Sequence, residues 1–281
     1  MVITLLSDFG LQDSYVAQAK GILLQHSYTD HIIDISHSVS PFSVSNASYI
    51  LKDCFNNFPK KTIHLSLINI LHQLPAQALM LELNGQWVIA ADNGFLPMFV
   101  EDKDREKALV YKLPVAAGNY YEWIEQVAAI IGQLYSNPQL LRSYPAITLA
   151  PNEMQMNLNI THQSVECNVL HIDIYGNLIF AIHRDLFETL RNGRNYKLRL
   201  RDNTVIDTIV ENYTDVGQST VLARFNHIGY LEVAVREDAA STLLGYNLFK
   251  KDQVFYTTLK IEFYDHQDSK NDIQTGSGTG I

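Results

Sequence analysis

Cysteine is scarce in this 281-residue chain: Cys54 and Cys167 are the only two, and they form no CxxC pair. Two reduced, buried thiols in a cytoplasmic protein are the simplest reading. Long apolar runs are missing as well, none approaching the roughly 18 residues that a membrane helix needs. The opening MVITLLSDFG has neither a charged n-region nor a cleavage-site pattern, so no signal peptide is expected. Basic residues are outnumbered, 21 against 30 acidic ones, and the formal net charge of -9 disfavours nucleic acid or an anionic membrane as partner. There is no GxSxG elbow, no glycine-rich phosphate loop and no histidine–carboxylate spacing such as HExxH. Neither a metal nor a cofactor is therefore expected. Internal repeats are absent too.

What is present is a hydrophobic content of 47%, enough for a packed core. The first half alternates apolar runs with helical periods. Val2–Leu6, His31–Ile35, Thr62–Ile68, Ala78–Leu83 and Trp87–Ala91 read as strands. Between them, Tyr15, Val16, Ala19, Ile22 and Leu23 share a helical face, as do Val44, Ala47, Leu51, Cys54 and Phe55 after Pro41. A third helix is predicted from about Tyr121 to Leu134. This alternation implies an α/β N-terminal domain, residues 1–151, on a mostly parallel sheet. A polar stretch, 152–163, reads as a linker. Beyond it lie short alternating segments: Asn168–Ile172, Tyr196–Leu200, Thr204–Val210, Thr220–Ala223, Tyr230–Val235 and Val254–Phe263. Short helical pieces are predicted at Asp185–Leu190 and Ala239–Leu244. They predict an all-β barrel over 164–265. The polar, glycine-rich tail, 266–281, is expected to be disordered.

The stretch LLSDFGLQDSYVAQAKGILL, residues 5–24, poses the functional question. Asp8 sits where a first strand hands over to a first helix, the end of an α/β sheet at which ligands bind. A carboxylate there can accept two hydrogen bonds from a cis-diol such as the 2′ and 3′ hydroxyls of a ribose, and Gly10 lets the backbone turn sharply. A plain helix start, with Asp13 as N-cap and Asp8 as a turn residue, accounts for the same letters. The kinase reading of DFG fails, because no glycine-rich loop precedes it. DISHSVSPFSVSNASYIL (34–51) places Phe42 after Pro41, either as a pocket wall or as a staple before a helix. LHIDIYGNLIFAI (170–182) sets Asp173, Tyr175 and Asn177 around Gly176, a pattern that a simple hairpin turn also explains.

Taken together, these residues resemble one family. The chain is similar to the S-adenosylmethionine (SAM) hydroxide adenosyltransferases, or SAM hydrolases, relatives of the SAM-dependent fluorinases and chlorinases. Their opening T-[TS]-D-F-G-x-x-D-x-Y-V-x-x-x-K-G is matched by Leu6–Gly21. D-I-[ST]-H-x-[IV]-x-P-[FW] follows, then D-N-G-[LF]-L at Asp92–Leu96, D-x-[FY]-G-N at Asp173–Asn177, and G-Y-L-E-[IV]-A-V at Gly229–Val235. Five motifs in order, from residue 3 to about residue 255, make the resemblance specific. It implies an α/β domain followed by a β-barrel, and a homotrimer with sites shared between subunits. It assigns Asp8 to the ribose hydroxyls and Asp13 to the methionine amino end. Phe42 and Tyr175 wall the pocket, Asn177 reads the adenine edge, and Asp173 completes the methionine-side contacts. The implied partner is a small nucleoside, SAM or adenosine.

The family reaction is displacement at ribose C5′ by water or halide, with methionine leaving. Its hydrolases activate water with an aspartate in V-D-P-G-V-G, a nearby arginine and a histidine in F-H-G-R-D. Alignment of residues 62–81 puts Asn69 at the aspartate, and Ala76-Gln77 replace the arginines. Alignment of residues 117–129 puts Asn119 at the histidine. Asparagine is no base at neutral pH. His227-Ile228 stands where the family holds the methionine carboxylate with a serine and a polar follower. His72, in the altered loop, is the replacement candidate for a base, although a lone histidine more often packs or hydrogen-bonds. The leading expectation is a SAM hydrolase forming adenosine and methionine, with Asn69, Asn119 and His72 at its catalytic positions. The alternative is a non-catalytic SAM- or adenosine-binding protein.

Overall fold

A computed structural model describes residues 2–26, 31–149, 158–246 and 258–265. The chain forms two compact units, Met1–Gln155 and Met156–Ile281. The expected disordered tail and the first half of the expected linker lie outside the described residues.

The first unit is built on seven strands: β1 (Ile3–Ser7), β2 (Ile32–Ser36), β3 (Ile63–Leu67), β4 (Ala78–Leu83), β5 (Gln86–Ala91), β6 (Leu109–Lys112) and β7 (Ala146–Ile147). Their spatial order is β2-β1-β3-β5-β4-β6-β7. Four helices accompany them: α1 (Tyr15–His26), α2 (Val44–Phe55), α3 (Phe95–Phe99) and α4 (Tyr120–Ser136). Successive strand residues point to opposite faces, and both faces are covered. Ile3, Leu5, Ile63, Leu65, Met80 and Ile89 pack with α1 and α4, through Ala19, Leu23, Trp123 and Val127. Leu6, Leu79, Leu81, Val88 and Ala90 pack with Leu51 and Phe55 of α2 and Phe95 and Phe99 of α3.

The sheet is mixed, which corrects the expectation of a mostly parallel one. β2, β1, β3 and β5 run parallel, but β4, β6 and β7 pair antiparallel. The cause is local. Asn84 (φ 53°) and Gly85 (φ 77°) form a two-residue turn between β4 and β5, and so tight a connection joins only antiparallel neighbours.

A buried polar chain crosses the parallel half. The Thr4 hydroxyl meets His64 Nδ1 at 2.8 Å, His64 Nε2 lies 2.9 Å from Gln86 Oε1, and Gln86 Nε2 donates to the Phe55 carbonyl at 3.2 Å. Because the Gln86 amide nitrogen already donates, its oxygen must accept from His64 Nε2–H, leaving Nδ1 to accept from Thr4. Burial holds the His64 pKa below its ordinary value and favours this neutral form.

The second unit is antiparallel: β8 (Asn159–Ile160), β9 (Ser164–Ile172), β10 (Leu178–His183), β11 (Asn195–Arg199), β12 (Val205–Ile206), β13 (Val221–Phe225), β14 (Tyr230–Val235) and β15 (Thr258–Tyr264). The main path is β12-β11-β15-β9-β10-β14-β13, with β8 added on β9. An Ile209–Ala223 bridge brings the two ends of the path together, so the sheet is a nearly closed barrel around Val165, Phe180, Phe187, Leu198 and Leu231. Helices α5 (Arg184–Arg191) and α6 (Ala240–Leu243) are short. The strand predicted over Thr204–Val210 shrinks to Val205–Ile206, because Ile209 turns to that bridge. Asn159 and Ile160, expected in the linker, pair with β9. β10, absent from the predicted segments, is a full strand, buried between β9 and β14.

Among the described residues no helix is long and apolar enough to cross a membrane. The two cysteines are free, and burial pushes the Cys54 thiol up to about 11, an unreactive state.

One contact fixes how closely α1 and α4 approach. A Cβ added at Gly132 would lie 2.1 Å from the carbonyl oxygen of His26, which is backbone and cannot swing away. Gly132→Ala should therefore destabilise the protein by about 1–3 kcal/mol, the usual cost of overpacking, measured by urea unfolding. Unchanged stability would mean that the helix pair is loosely held.

Candidate functional site

Asp8 follows directly on β1, at the carboxyl end of the sheet. The strand end is held by buried Ser7, whose hydroxyl lies 2.6 Å from Nδ1 of buried His37. On its other side His37 Nε2 approaches Asp34 Oδ1 to 3.0 Å, and Asp34 Oδ2 accepts from Lys20 Nζ at 2.7 Å. The His37–Asp34 approach has ion-pair distance without hydrogen-bond alignment. Burial pushes the Asp34 pKa up, but Lys20 and His37 outweigh it and hold the carboxyl below its ordinary value.

This relay ties the loop after β1 to the loop after β2. Gly10 N–H donates to the His37 carbonyl at 2.7 Å, with Gly10 at φ 68°, a conformation that glycine adopts without strain. Phe42 N–H donates to Asp8 Oδ2 at 2.8 Å. Phe42 itself has φ 62°, a rare conformation for a bulky residue, and its side chain is 72% exposed. Strain of this kind persists only where surrounding contacts impose it, and it marks functional loops. Asp8 thus ties its loop to the loop of Phe42, and the exposed Phe42 ring is not a core staple. Asp13 is exposed on the same loop, and α1 begins two residues later.

The start of α4 joins this loop through aromatic rings. Phe9, Tyr15 and Tyr120 have ring centroids 5.4–5.9 Å apart, and the Tyr120 hydroxyl donates to the Tyr15 carbonyl at 3.0 Å. Burial raises the Tyr120 pKa, so the ring is neutral. Asn119, next to it, is the N-cap of α4: its Oδ1 accepts from Glu122 N–H at 3.0 Å, while Glu122 Oε2 accepts from Gly118 N–H at 2.7 Å. The Asn119 side chain is thus engaged in holding the helix end.

Asn69 lies two residues beyond β3, the strand beside β1, in the left-handed conformation (φ 43°). Buried Asn93 donates its Nδ2 to the carbonyls of Ile68 (2.8 Å) and Asn69 (3.3 Å), and its Oδ1 accepts from Phe95 N–H (3.2 Å). The D-N-G-F-L motif is therefore a brace for the loop after β3. His72 is exposed on that loop, its N–H bound to the Asn69 carbonyl at 3.2 Å.

In the second unit the turn between β9 and β10 has one organising acid. Asp173 Oδ1 accepts from the backbone of Tyr175 and of Asn177, both at 2.9 Å, and Oδ2 accepts from Asn177 Nδ2 at 2.8 Å. Gly176 has φ 82°, and a Cβ there would sit 2.8 Å from Ala239 Cβ. The result is a rigid turn that presents Tyr175, 75% exposed, and Ile174, 93% exposed, while fixing the amide of buried Asn177. Behind it Glu232 is buried and accepts from the Tyr213 hydroxyl at 2.5 Å. Burial raises the Glu232 pKa, and the nearby Asp173 charge adds to the rise. Burial and Glu232 push Tyr213 up to about 12.

Asp8 and Phe42 are thus brought into contact, as are Asp173, Tyr175 and Asn177. Asn69 and Asn119 serve loop and helix-end architecture. Sequence reasoning left out the Ser7–His37 pair, Tyr120 and the buried Glu232. Ser7 lay inside the opening motif, His37 inside D-I-S-H and Glu232 inside G-Y-L-E, so the letters were available without their partners. Among the described residues no group of three or more His, Cys, Asp or Glu side chains is placed to hold a metal ion.

The SAM hydroxide adenosyltransferase N-terminal domain matches residues 3–122 and the C-terminal domain matches residues 167–252. A (R)-S-adenosyl-L-methionine hydrolase of Methanocaldococcus jannaschii is 23% identical, over 91% of this chain and 96% of its own length. A hydrolase of the same name from Thermus thermophilus is 25% identical, over 85% and 94%. A fluorinase of Nocardia brasiliensis is 22% identical, over 88% and 93%. The crystal structure of a conserved protein from Thermotoga maritima superposes with a TM-score of 0.67 at 22% identity, covering 92% of this chain and 99% of that one.

The β9–β10 turn yields a direct test. Asp173→Ala removes a charged acceptor from three N–H groups, one on the side chain of a buried residue. A loss of about 1.5–3 kcal/mol is expected in urea unfolding, the worth of hydrogen bonds to a charged group. A loss below about 0.5 kcal/mol, the size of an ordinary surface substitution, would mean that the turn holds without its acid.

Proposed function

Because the chain belongs to the SAM hydroxide adenosyltransferase family, we propose that it cleaves SAM with water to adenosine and L-methionine, by displacement at ribose C5′ and at a reduced rate. The observation that carries this reading is the pair of acid-centred turns, at Asp8–Phe42 and Asp173–Asn177, each locked by hydrogen bonds and each presenting an exposed aromatic ring.

In the proposed site Asp8 takes the ribose hydroxyls, Asp13 and Asp173 the methionine end, and Asn177 the adenine edge. Phe42 and Tyr175 stack as walls. Aromatic faces suit a sulfonium by cation–π attraction. The water oxygen attacks C5′ opposite sulfur, and the C5′–S bond breaks with its electron pair passing to sulfur. The attacking water loses one proton to solvent. The sulfonium is already an activated leaving group, so the displacement needs neither metal nor redox cofactor. Alignment and exclusion of bulk water supply the acceleration that these residues can offer.

A positioned general base contributes about 10²–10⁴-fold. Asn69 is not a base, and Asn119 is engaged as a cap. Those facts support slow turnover, and they also favour the second reading, binding of SAM or adenosine without turnover. Exposure of Phe42, Ile174 and Tyr175 on the single chain supports the homotrimer known from the family, in which such surfaces are covered. Two free thiols suit a reducing, cytoplasmic setting.

Incubation with SAM followed by chromatography should reveal adenosine and methionine in equal amounts, accumulating slowly. His72→Ala should leave the rate unchanged, and Asn69→Asp alone should not restore a full rate, because the arginines are absent as well. Asp8→Ala should weaken adenosine binding by about 1.5–3 kcal/mol in calorimetry. Adenosine bound normally with no turnover would favour the second reading. Fast turnover abolished by His72→Ala would overturn the account of a weakened site.

A further inference from the structure

At the amino-terminal ends of the strands, opposite the loops of Asp8 and Asn69, the first unit contains a cavity of about 690 Å³. That size falls within the roughly 300–1,000 Å³ of small-molecule sites. Its wall is apolar: Ile63, Met80, Trp87, Leu134 and Leu141 line it, with Val2 at the start of β1. Ile63, Met80, Leu134 and Leu141 also belong to the core between the sheet and α4, so the cavity is a part of that core left unfilled. Two cations border it. Lys60 and Lys61 are exposed, and neither has an ion-pair partner among the described residues. The nearby carboxylate, Glu82, faces Trp87 across the β4–β5 pair and is neutralised by Arg142 at 3.0 Å. In a chain of net charge -9, this mouth is locally positive. The Trp87 indole N–H beside the cavity is buried and has no acceptor among the described residues.

We propose that this cavity is a second small-molecule site that takes an aliphatic monocarboxylate of medium chain length. The tail lies against Ile63, Met80, Trp87 and Leu141, and the carboxylate sits at the mouth between Lys60 and Lys61. An apolar wall favours a chain over a nucleoside, whose ribose and base would find few hydrogen-bonding partners there. Two unpaired ammonium groups favour a single anionic head over a neutral or cationic one. The site stands apart from the proposed nucleoside pocket and does not depend on it.

Calorimetric titration with decanoate, below its micelle concentration, tests this on the full chain, with 1-decanol as the neutral comparison. Decanoate should bind, and decanol about tenfold more weakly, the difference a charge-assisted contact makes. The charge-removing variant Lys60→Gln/Lys61→Gln, at exposed positions that do not threaten folding, should reduce decanoate to the level of decanol. 10-Bromodecanoate should quench tryptophan emission in the unaltered protein and not in Trp87→Phe, which retains only the buried Trp123. Absence of decanoate binding, an unchanged affinity in the double lysine variant, or quenching that persists in Trp87→Phe would each overturn the proposal. SAM turnover measured in the same lysine variant should be unchanged, which separates failure here from failure of the hydrolase reading.

Discussion

The 2.6 Å hydrogen bond between Ser7 and His37 is the constraint on which the loops after β1 and β2 rest. Both residues are buried, and each belongs to a different parallel segment of chain, one ending β1 and the other following β2. A parallel pair cannot be joined by a tight turn, so its two ends need some other tie if they are to hold a fixed distance. The histidine provides it with its side chain, and its own carbonyl then captures Gly10. The contact between Asp8 and Phe42 follows from that clamp, including the left-handed backbone that Phe42 is made to adopt.

The same economy recurs in the second unit by a different route. There Asp173 organises its own turn, binding two backbone N–H groups and the Asn177 amide. In both places a carboxylate accepts from backbone N–H, which holds the loop around it in one conformation. Groups held in this way can bind and orient a ligand. At positions 69 and 119 the chain carries amides: the Asn69 backbone carbonyl accepts from Asn93, and the Asn119 side chain caps a helix.

Much of this was legible in the letters, and the failures have physical causes. β1 to β5, α1, α2 and α4 of the first unit follow from apolar runs and periodicity, whereas β6, β7 and the five-residue α3 are too short to carry either signal. The sheet's mixed direction depended on a two-residue turn at Asn84-Gly85, a short-range signal outweighed by the longer alternation of strands and helices. β10 is apolar from Leu178 to Ile182, so it offered no alternating pattern, and the preceding turn hid it. Asp8 and Asp173 were identifiable from their motifs. The Ser7–His37 and Asp8–Phe42 contacts were not, since a hydrogen bond between residues 30 or 34 positions apart leaves no trace in a single sequence. Asn119 carried a second signal in the letters: its place before Tyr120 and three residues before Glu122 is a helix-cap signature.

The central claim is that the site holds SAM and aligns water without a general base. Its most direct test is the pH dependence of single-turnover adenosine formation at saturating SAM, between pH 6 and 8. A site without a titrating base gives a rate that does not change over that interval. A rate that rises and levels off at a histidine-like pKa of about 6.5 would reveal a base in the site and contradict the claim.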